Sequence, residues 1–223
     1  MSLIKRFLTI IILVILSVRP VNAQLADTIK YSLQQKPKYF ATLASFNTFI
    51  DHQYANIFRI KMGLSYNQRL RFGIGYSNLA NNSVITSIHI NENNPDSFST
   101  NGKLNFAFFS LSAEYFFFND YPWQCTITPF QIGFGEADYE YINRPQHIRT
   151  HTATETIILY QPEIAVQYSI FTWLGAGVTT GYRITLFRSR KIVQYLDAPT
   201  FAVDLRLFLD EIYKILFIKD EKK

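Results

Sequence analysis

The sequence predicts an all-β protein, an eight-stranded antiparallel up-and-down transmembrane β-barrel that ends in a short C-terminal helix. Three observations lead to this prediction. Apolar and polar residues alternate strictly along a long hairpin, glycines collect on the polar face of the strands, and short and long connections alternate along the chain. Together these features are typical of a sheet that is closed into a barrel within a membrane.

The hairpin formed by residues 57–79 turns at Asn67-Gln68 and has two distinct faces. The apolar face consists of Phe58, Ile60, Met62, Leu64, Tyr66, Leu70, Phe72, Ile74 and Tyr76. The other face consists of Arg59, Lys61, Gly63, Ser65, Arg69, Arg71, Gly73, Gly75 and Ser77. A period of two residues indicates β-strands. Glycine packs nothing on a wetted face, but it makes room for long charged side chains inside a narrow barrel. The Arg/Gly face is therefore predicted to point inward and the apolar face to contact lipid.

Six further strands follow the same pattern. They are predicted at residues 39–46, 104–117, 128–135, 158–169, 174–186 and 200–208. In the strand at 104–117 the apolar phase changes at Phe108-Phe109, which we interpret as a β-bulge. Eight of the nine glycines fall on the polar face of the predicted strands.

The connections between these strands alternate in length. Short connections are predicted at residues 67–68, 118–122 and 170–173, and long ones at 47–56, 77–102, 136–156 and 187–199. This alternation is typical of an outer-membrane barrel with tight periplasmic turns. An even number of strands then returns both mature termini to the periplasm. Aromatic residues gather at the short-turn end and are predicted to form an interfacial girdle; they are Tyr66, Phe116, Phe117, Phe118, Tyr121, Trp123, Tyr168, Phe171 and Trp173.

The chain divides into four predicted segments. Residues 1–23 form a signal peptide with Lys5 and Arg6, an apolar stretch at 7–18 and a small residue at Ala23. Residues 24–37 form a periplasmic segment, 38–209 the barrel, and 210–223 a tail that the pattern predicts to be helical, with Asp210 as its N-cap. An uncleaved helical anchor is the alternative for the first segment, but 12 residues fall short of the ~20 that a spanning helix needs.

Composition excludes several classes of function. Without Lys5, Arg6 and Arg19 the mature chain holds 19 basic and 17 acidic residues, so its charge gives no support for nucleic-acid binding. Cys125 is the single cysteine, which rules out an internal disulfide and favours a small packing residue. The sequence has no phosphate-binding glycine loop, no CxxC and no paired catalytic carboxylate motif, so no cofactor is predicted.

Residues 39–209 thus resemble the small eight-stranded outer-membrane β-barrel proteins of Gram-negative bacteria, in pattern and loop rhythm rather than through a diagnostic motif. The resemblance implies the bacterial outer membrane as location, with its lipids and lipopolysaccharide as partners. Many such proteins stop at an aromatic residue that closes the last strand, whereas this chain continues beyond Phe208. A soluble barrel or sandwich with reversed faces is the rival fold, because a period of two does not distinguish inside from outside.

The interior of an eight-stranded barrel is just wide enough for side chains to fill it. The charged residues predicted to line it are Arg59, Lys61, Arg69, Arg71, Glu114, Glu163, Arg183, Asp204 and Arg206. Counting from the turns places Glu114 beside Arg71 and Glu163 beside Arg183. We interpret this set as paired charges that plug the lumen. The alternative is a narrow, porin-like passage for anions, based on the surplus of three positive groups.

The predicted outer loops hold the remaining candidates. Residues 77–102, in which Ile85, Ile88 and Ile90 briefly alternate, form either a solvated loop whose strand hairpin extends beyond the membrane or a binding surface. His147 and His151 could share a metal ion if their segment were helical, but Arg144-Pro145 favours an irregular loop. A histidine with Glu140 and a rim serine could imitate the Ser/His/acid set of lipid-modifying barrels, although no serine has a nucleophile context. The basic residues of the last loop, Arg188, Arg190 and Lys191, would face anionic headgroups.

The sequence therefore predicts a monomeric or weakly associating outer-membrane barrel with a structural or binding role, whose outer loops form the contact surface. Two alternatives remain open at this level. One is a component of an envelope secretion or assembly machine that docks a periplasmic protein through its C-terminal tail. The other is a lipid-modifying enzyme of the outer membrane.

Overall fold

The computed structural model describes residues 27–67, 69–80, 84–90, 98–143, 148–188 and 195–217. The predicted signal peptide, His147, Arg190 and Lys191 lie outside these ranges. Residues 27–33 are helical, and a second helix, Leu209–Phe217, lies near the end of the chain. Neither helix of the described ranges is long and apolar enough to cross a membrane.

Strands make up most of the described chain and belong to one antiparallel sheet. They are β1 (Lys38–Ile50), β2 (Gln53–Tyr66), β3 (Leu70–Leu79), β4 (Ile85–Ile90), β5 (Phe98–Asp120), β6 (Trp123–Asn143), β7 (Ile148–His151), β8 (Glu155–Tyr160), β9 (Glu163–Ser169), β10 (Leu174–Arg188) and β11 (Ala198–Phe208). Each strand of the wall pairs with the next along the chain, and β1 pairs with β11 to close the ring.

The closed ring has eight wall positions. Seven are occupied by one strand each, namely β1, β2, β3, β5, β6, β10 and β11, and the eighth is shared by β8 and β9. Both β8 and β9 lie between β6 and β10, and Gln161-Pro162 separates them. Proline has no N–H to donate, so it interrupts the ladder at this point. The predicted eight-stranded up-and-down transmembrane barrel is thereby confirmed.

The orientation of the two faces is also the predicted one. Phe72, Phe130 and Leu205 point outward and are 42%, 65% and 47% exposed, whereas Arg71 is only 2% exposed. A continuous apolar exterior of this extent would be an aggregation hazard in water. It is the surface that a lipid bilayer requires of a spanning β-barrel.

The inward glycines allow charged side chains to approach the wall. A Cβ added at Gly177 would come within 2.6 Å of Gln167 Cγ and 3.0 Å of Asp204 Oδ1. At Gly73 an added Cβ would meet the aliphatic stem of Lys61 at 3.2 Å. The glycines therefore supply the space that the predicted lumen residues occupy.

The prediction of a long loop at residues 47–56 was wrong. Strands β1 and β2 continue to a two-residue turn, Asp51-His52, whose φ angles are 49° and 63°. Two consecutive positive φ values are those of a type I′ turn, which suits the twist of a β-hairpin. The pattern was missed because the inward residues of this hairpin, such as Ile50 and Ala55, are apolar rather than polar.

The predicted loops at 77–102 and 136–156 are also largely β-structure. Strands β5 and β6 extend beyond the ring, β4 pairs with the extension of β5, and β7 pairs with the extension of β6. We call this four-stranded unit, β4–β5–β6–β7, the outer sheet. The extended strands predicted within residues 77–102 are therefore present, whereas strands replace the irregular loop that was predicted at 136–156.

The predicted bulge at Phe108-Phe109 is not present. The pairing of β5 with β6 is continuous through this point, and its irregularities lie instead between Ala113 and Tyr115 and between Phe116 and Phe118. Phe108 is buried inside the barrel, whereas Phe109 is 68% exposed on the outside. The alternation of apolar residues along β5 changes here because its inward residues change from polar to apolar between Ser110 and Phe108.

An apolar cluster fills the end of the barrel from which the outer sheet extends. We call it the outer plug; its large members are Phe46, Ile50, Ile57, Leu79, Val84, Ile88, Leu104, Phe106, Phe108, Tyr139, Ile157, Leu159 and Leu196. These side chains come from six wall positions, from β4 and the residue before it, and from the segment before β11. The interior is therefore sealed at this end by side chains like those of a soluble protein core.

The C-terminal helix does not begin with Asp210 as its N-cap. The helix starts at Leu209, and the Asp210 carboxylate accepts a hydrogen bond from the main-chain N–H of Tyr39 at 2.5 Å. Asp210 therefore satisfies the start of β1 rather than the helix to which it belongs. The first turn still benefits from the acidic residues Asp210 and Glu211 near the positive end of the helix dipole.

A second contact holds the helix beside the ring. Glu211 Oε1 accepts hydrogen bonds from Lys214 Nζ at 2.9 Å and from Lys38 Nζ at 3.4 Å. The hydrogen bond from Lys214, together with the nearby positive charges, lowers the pKa of Glu211. Its ionised form is thus favoured, and the contact weakens as pH falls through that lowered pKa.

The lipid-facing wall leads to a first prediction. Val178 is exposed about five residues from the short-turn end of β10, so Val178→Arg places a charge against the hydrocarbon. The free energy of unfolding should fall by about 2–4 kcal/mol, measured by urea titration in lipid vesicles. Val178→Leu is the control and should change it by less than about 1 kcal/mol. Equal stability of the two variants would contradict a lipid-facing β10.

Candidate functional site

The middle of the lumen holds a cluster of buried charges, which we call the lumen network. Of the nine predicted residues the structure places eight inside the barrel, each at most 7% exposed: Arg59, Lys61, Arg71, Glu114, Glu163, Arg183, Asp204 and Arg206. Arg69 differs from the prediction, because its side chain is exposed in the turn that precedes β3. The alternation of faces does not extend into a turn, so the inward position assigned to Arg69 was wrong.

The first ion pair joins Arg59 on β2 to Glu163 on β9, across the lumen. Arg59 Nη1 lies 2.7 Å from Glu163 Oε1, which also accepts hydrogen bonds from Gln161 at 2.8 Å and Gln131 at 3.1 Å. The guanidinium carbon lies 4.1 Å from the ring centroid of Phe46. Glu163 is therefore satisfied by three donors, as a buried carboxylate requires.

The second group of charges surrounds Glu114 on β5. Lys61 Nζ donates to Glu114 Oε1 at 2.6 Å, while Arg71 and Arg206 lie 3.9 Å and 3.8 Å from Oε2. Arg71 and Glu114 are direct cross-strand neighbours, at the register that the sequence predicted. One carboxylate thus faces three cations.

The third carboxylate, Asp204 on β11, has neutral partners. Gln167 Nε2 and Thr179 Oγ1 each donate a hydrogen bond to it at 2.7 Å. These donors come from β9 and β10, the two strands that complete the wall beside β11. They hold the carboxylate in place without a direct ion pair.

The predicted pairing of Glu163 with Arg183 is not formed. Glu163 lies opposite Gly181, and Arg183 lies nearer the outer end, where its Nε donates to the carbonyl of Leu196 at 2.6 Å and its Nη2 approaches Thr48 Oγ1 at 3.4 Å. The count from the turn was out by two residues: the pairing of β9 with β10 runs without a break from Ser169 opposite Gly175 to Glu163 opposite Gly181, and Arg183 lies two residues beyond that pair. Arg183 instead ties the segment before β11 to β1.

Aromatic rings accommodate the surplus of positive charge. Among the buried lumen residues described there are five cations and three carboxylates. The guanidinium carbon of Arg71 lies 4.9 Å from the ring centroid of Phe40 and 4.3 Å from that of Phe116. Such cation–π contacts stabilise a desolvated cation. This role of the aromatic rings was not predicted, although the register of β1 places Phe40 and Phe46 on its inward face.

The middle of the lumen is closed. Only a cavity of about 20 Å³, enough for a water molecule, remains among the network residues of the middle section. The outer plug seals the barrel above it. This filling does not support the alternative of an anion passage, and it agrees with the capacity of an eight-stranded ring.

The histidine and Glu140 that were considered for a Ser/His/acid set have other partners in the structure. His151 Nδ1 lies 2.6 Å from Asp138 Oδ2, while Glu140 pairs with Arg149 at 3.2 Å. His151 belongs to strand β7, so the helical spacing needed for a shared metal ion with His147 does not apply. Within the described ranges no three His, Cys, Asp or Glu residues are grouped as metal ligands.

Comparisons with known proteins identify similar folds. No protein-family model matches the chain, and no curated protein matches it in sequence. Among solved structures, Neisserial surface protein A has a TM-score of 0.48 and 13% identity, over 77% of this chain and 96% of that one. The N-terminal barrel domain of Pseudomonas aeruginosa OprF has a TM-score of 0.47 and 9% identity, over 77% of this chain and 98% of that one.

A third similar structure is the attachment invasion locus protein Ail of Yersinia pestis, in complex with the heparin analogue sucrose octasulfate. Its TM-score is 0.42 at 11% identity, over 77% of this chain and 97% of that one. All three are small outer-membrane β-barrels, the kind of protein that the chain was predicted to resemble. At these identities the likeness concerns the fold alone.

The lumen network leads to a second prediction. Glu163→Gln leaves Arg59 buried without a counter-ion, and should lower the free energy of unfolding by about 3–5 kcal/mol in vesicles. Adding Arg59→Met should restore a large part of the loss, because the uncompensated charge is then removed. Glu140→Gln, which breaks the pair with the exposed Arg149, is the matched control and should cost at most about 1 kcal/mol. Equal losses in both single variants would contradict the role assigned to the network.

Proposed function

We propose that this protein is an outer-membrane β-barrel with a structural or binding role, whose outer sheet is the contact surface and whose lumen carries no flux. The apolar exterior supports a place in the membrane. One end of the ring holds the turns that join β2 to β3, β5 to β6 and β9 to β10, together with the start of β1 and the end of β11. The outer sheet extends from the other end. In an outer membrane, this arrangement would place the short-turn end toward the periplasm.

The observation that carries the proposal is the attachment of the outer sheet to the barrel by packing and hydrogen bonds. On one side it is packed by the outer plug, because Ile88, Leu104 and Tyr139 are buried there. In addition, the side-chain amide of Gln53 bonds both main-chain groups of Ile85, donating to the carbonyl at 2.7 Å and accepting from the N–H at 2.9 Å. Recognition surfaces are commonly carried by such segments on a rigid scaffold.

The exposed side of the outer sheet has mixed chemistry. Ile85 and Ile142 are exposed beside Lys103 and Arg149, around a groove of about 240 Å³. Apolar side chains next to cations can contact both acyl or aromatic groups and anionic groups. Lipopolysaccharide and a protein with an acidic surface are the partners that fit this chemistry.

Photo-crosslinking tests the proposal. A benzophenone amino acid in place of Ile142, on the outer sheet, should give a discrete adduct with lipopolysaccharide or with one protein in intact cells. The same substitution at Phe130, on the lipid-facing wall, is the matched control and should give only phospholipid adducts. Both positions are exposed, so access of the probe is comparable. Identical adduct patterns at the two positions would contradict a contact surface on the outer sheet.

A second candidate function rests on the C-terminal helix. Tyr213, Leu216 and Phe217 are exposed on this helix at the short-turn end of the barrel, where a protein of an envelope machine could dock. Deleting residues 211–223 removes these side chains but keeps the contact of Asp210 with Tyr39.

The deletion gives a separate prediction. The truncated barrel should still migrate differently on gels before and after boiling, while a protein co-purified with the full chain should be lost. The triple change Tyr213→Ser, Leu216→Ser and Phe217→Ser is the control that keeps the chain length, and it should give the same loss. Retention of the co-purified protein by both variants would exclude docking through the tail.

A further inference from the structure

The short-turn mouth of the barrel contains a cavity separate from the closed middle of the lumen. We call it the vestibule; its volume is about 360 Å³, within the range of small-molecule sites. Its walls include the aromatic rings of Phe40, Phe171 and Phe208 and the polar side chains of Ser65 and Gln124. Arg71 lines it from the side of the lumen network.

Arg71 lacks a hydrogen-bonded partner for part of its guanidinium. The residue is 2% exposed, and within the described chain its Nε and Nη1 have no hydrogen-bond partner. The nearest carboxylate oxygen is Glu114 Oε2 at 3.9 Å from Nη1, beyond hydrogen-bond distance, and the other oxygen of Glu114 is held by Lys61 at 2.6 Å. A buried cation in this state favours an additional anionic partner.

The geometry of the Arg71 guanidinium determines where such a partner can bind. The rings of Phe40 and Phe116 lie 4.9 Å and 4.3 Å from the guanidinium carbon. The N–H bonds of a guanidinium lie in its plane, and Nε–H and Nη1–H lie on different edges of the group. A carboxylate that reaches either edge can accept a charge-assisted hydrogen bond from one of these unpartnered donors.

The acidic residues at the rim of the vestibule are engaged with other groups. Asp210 accepts from the main chain of Tyr39, and Glu211 is paired with Lys214 and Lys38. The charge of Glu211 is thus offset by two cations, whereas Asp210 is held by a neutral donor and remains an anion at the rim. Arg71 is the lining cation that has unpartnered donors.

Gln124 adds a second polar requirement. Its Oε1 is buried and has no hydrogen-bond partner among the described residues, so it can accept an N–H from a bound molecule. A carboxylate for Arg71, an amide N–H for Gln124 and an apolar group for the aromatic walls are all present in an N-acylated amino acid. The same groups form the C-terminal residue of a peptide.

We propose that the vestibule binds the carboxylate of an N-acyl amino acid with an apolar side chain, either as a free molecule or as the C-terminus of a peptide. Arg71 binds the carboxylate, Gln124 accepts the amide N–H, and Phe40, Phe171 and Phe208 contact the side chain. The site lies at the end opposite the outer sheet, so it is independent of the function proposed above.

Calorimetric titration of the full chain in detergent micelles tests this site. N-Acetylphenylalanine should bind saturably, and its neutral relative N-acetylphenylalaninamide should bind at least tenfold more weakly. Binding of the acid should also change the fluorescence of Trp173, because its ring is stacked on Phe171 with the centroids 5.6 Å apart. Absence of saturable binding, or equal affinity for acid and amide, would overturn the proposal.

Two variants assign the binding to the vestibule. Arg71→Met should weaken binding of the acid at least tenfold, whereas Arg183→Met, which removes an equally buried arginine near the outer end, should leave it unchanged. Ser65→Phe keeps Arg71 but fills the vestibule, and should also abolish binding; it decides the matter if Arg71→Met does not fold. Unchanged affinity in Arg71→Met or in folded Ser65→Phe would show that the acid does not bind in the vestibule.

A pentapeptide with a C-terminal phenylalanine distinguishes the two sources of the carboxylate. Tighter binding of the peptide than of N-acetylphenylalanine supports the proposed site with a protein or peptide terminus as its ligand. Equal or weaker binding supports it with a free N-acyl amino acid as its ligand.

Discussion

The pairing of β1 with β11 is the interaction on which the rest of the structure depends. In hydrocarbon every backbone N–H and C=O of a spanning segment must be bonded within the protein, and a sheet achieves this only when it closes. With eight wall positions, closure also limits the diameter of the interior. The interior must therefore be filled by side chains, and the identity of each inward residue is constrained by its neighbours across the lumen.

The interior satisfies this constraint in two different ways along its axis. Toward the short turns, buried charges are compensated by one another, by amides such as Gln167 and by aromatic rings. Toward the outer end, the outer plug replaces polar contacts with apolar packing. Desolvated charges are costly without partners, whereas apolar side chains need none. The change of filling explains how a barrel wall can continue beyond the lipid without loss of internal support.

Much of the architecture could be predicted from the sequence because a lipid-facing wall and a polar lumen impose opposite requirements on alternate residues. The hairpin of β2 and β3, the inward glycines and the cross-strand position of Arg71 and Glu114 follow from that alternation. The prediction failed where the contrast disappears. Near Ile50 and Phe108 the inward residues are apolar, so strands were read as a loop and a change of interior filling as a bulge.

The site could be predicted less completely, because a list of inward residues does not give their partners. The register counted from the turn was out by two residues, so Glu163 faces Gly181 rather than Arg183 on β10, and its ion pair is with Arg59 across the lumen. Contacts across the lumen, such as Arg59 with Phe46, depend on the closed geometry of the whole ring. The two hydrogen bonds between the Gln53 side chain and the main chain of Ile85 likewise join two hairpins, and no local sequence pattern indicates that these hairpins are close together.

That contact between Gln53 and Ile85 has a consequence for crowded membranes. A carboxamide presents one donor and one acceptor, the same pair of groups that the main chain of an adjoining strand would offer. The main-chain groups of Ile85, at the start of β4, are therefore already hydrogen-bonded on the edge that does not pair with β5. A strand from a neighbouring copy would have to displace the Gln53 amide before it could pair there. Unprotected edges invite such lateral growth of sheets. Gln53 thus opposes edge-to-edge strand pairing between neighbouring copies at the start of β4.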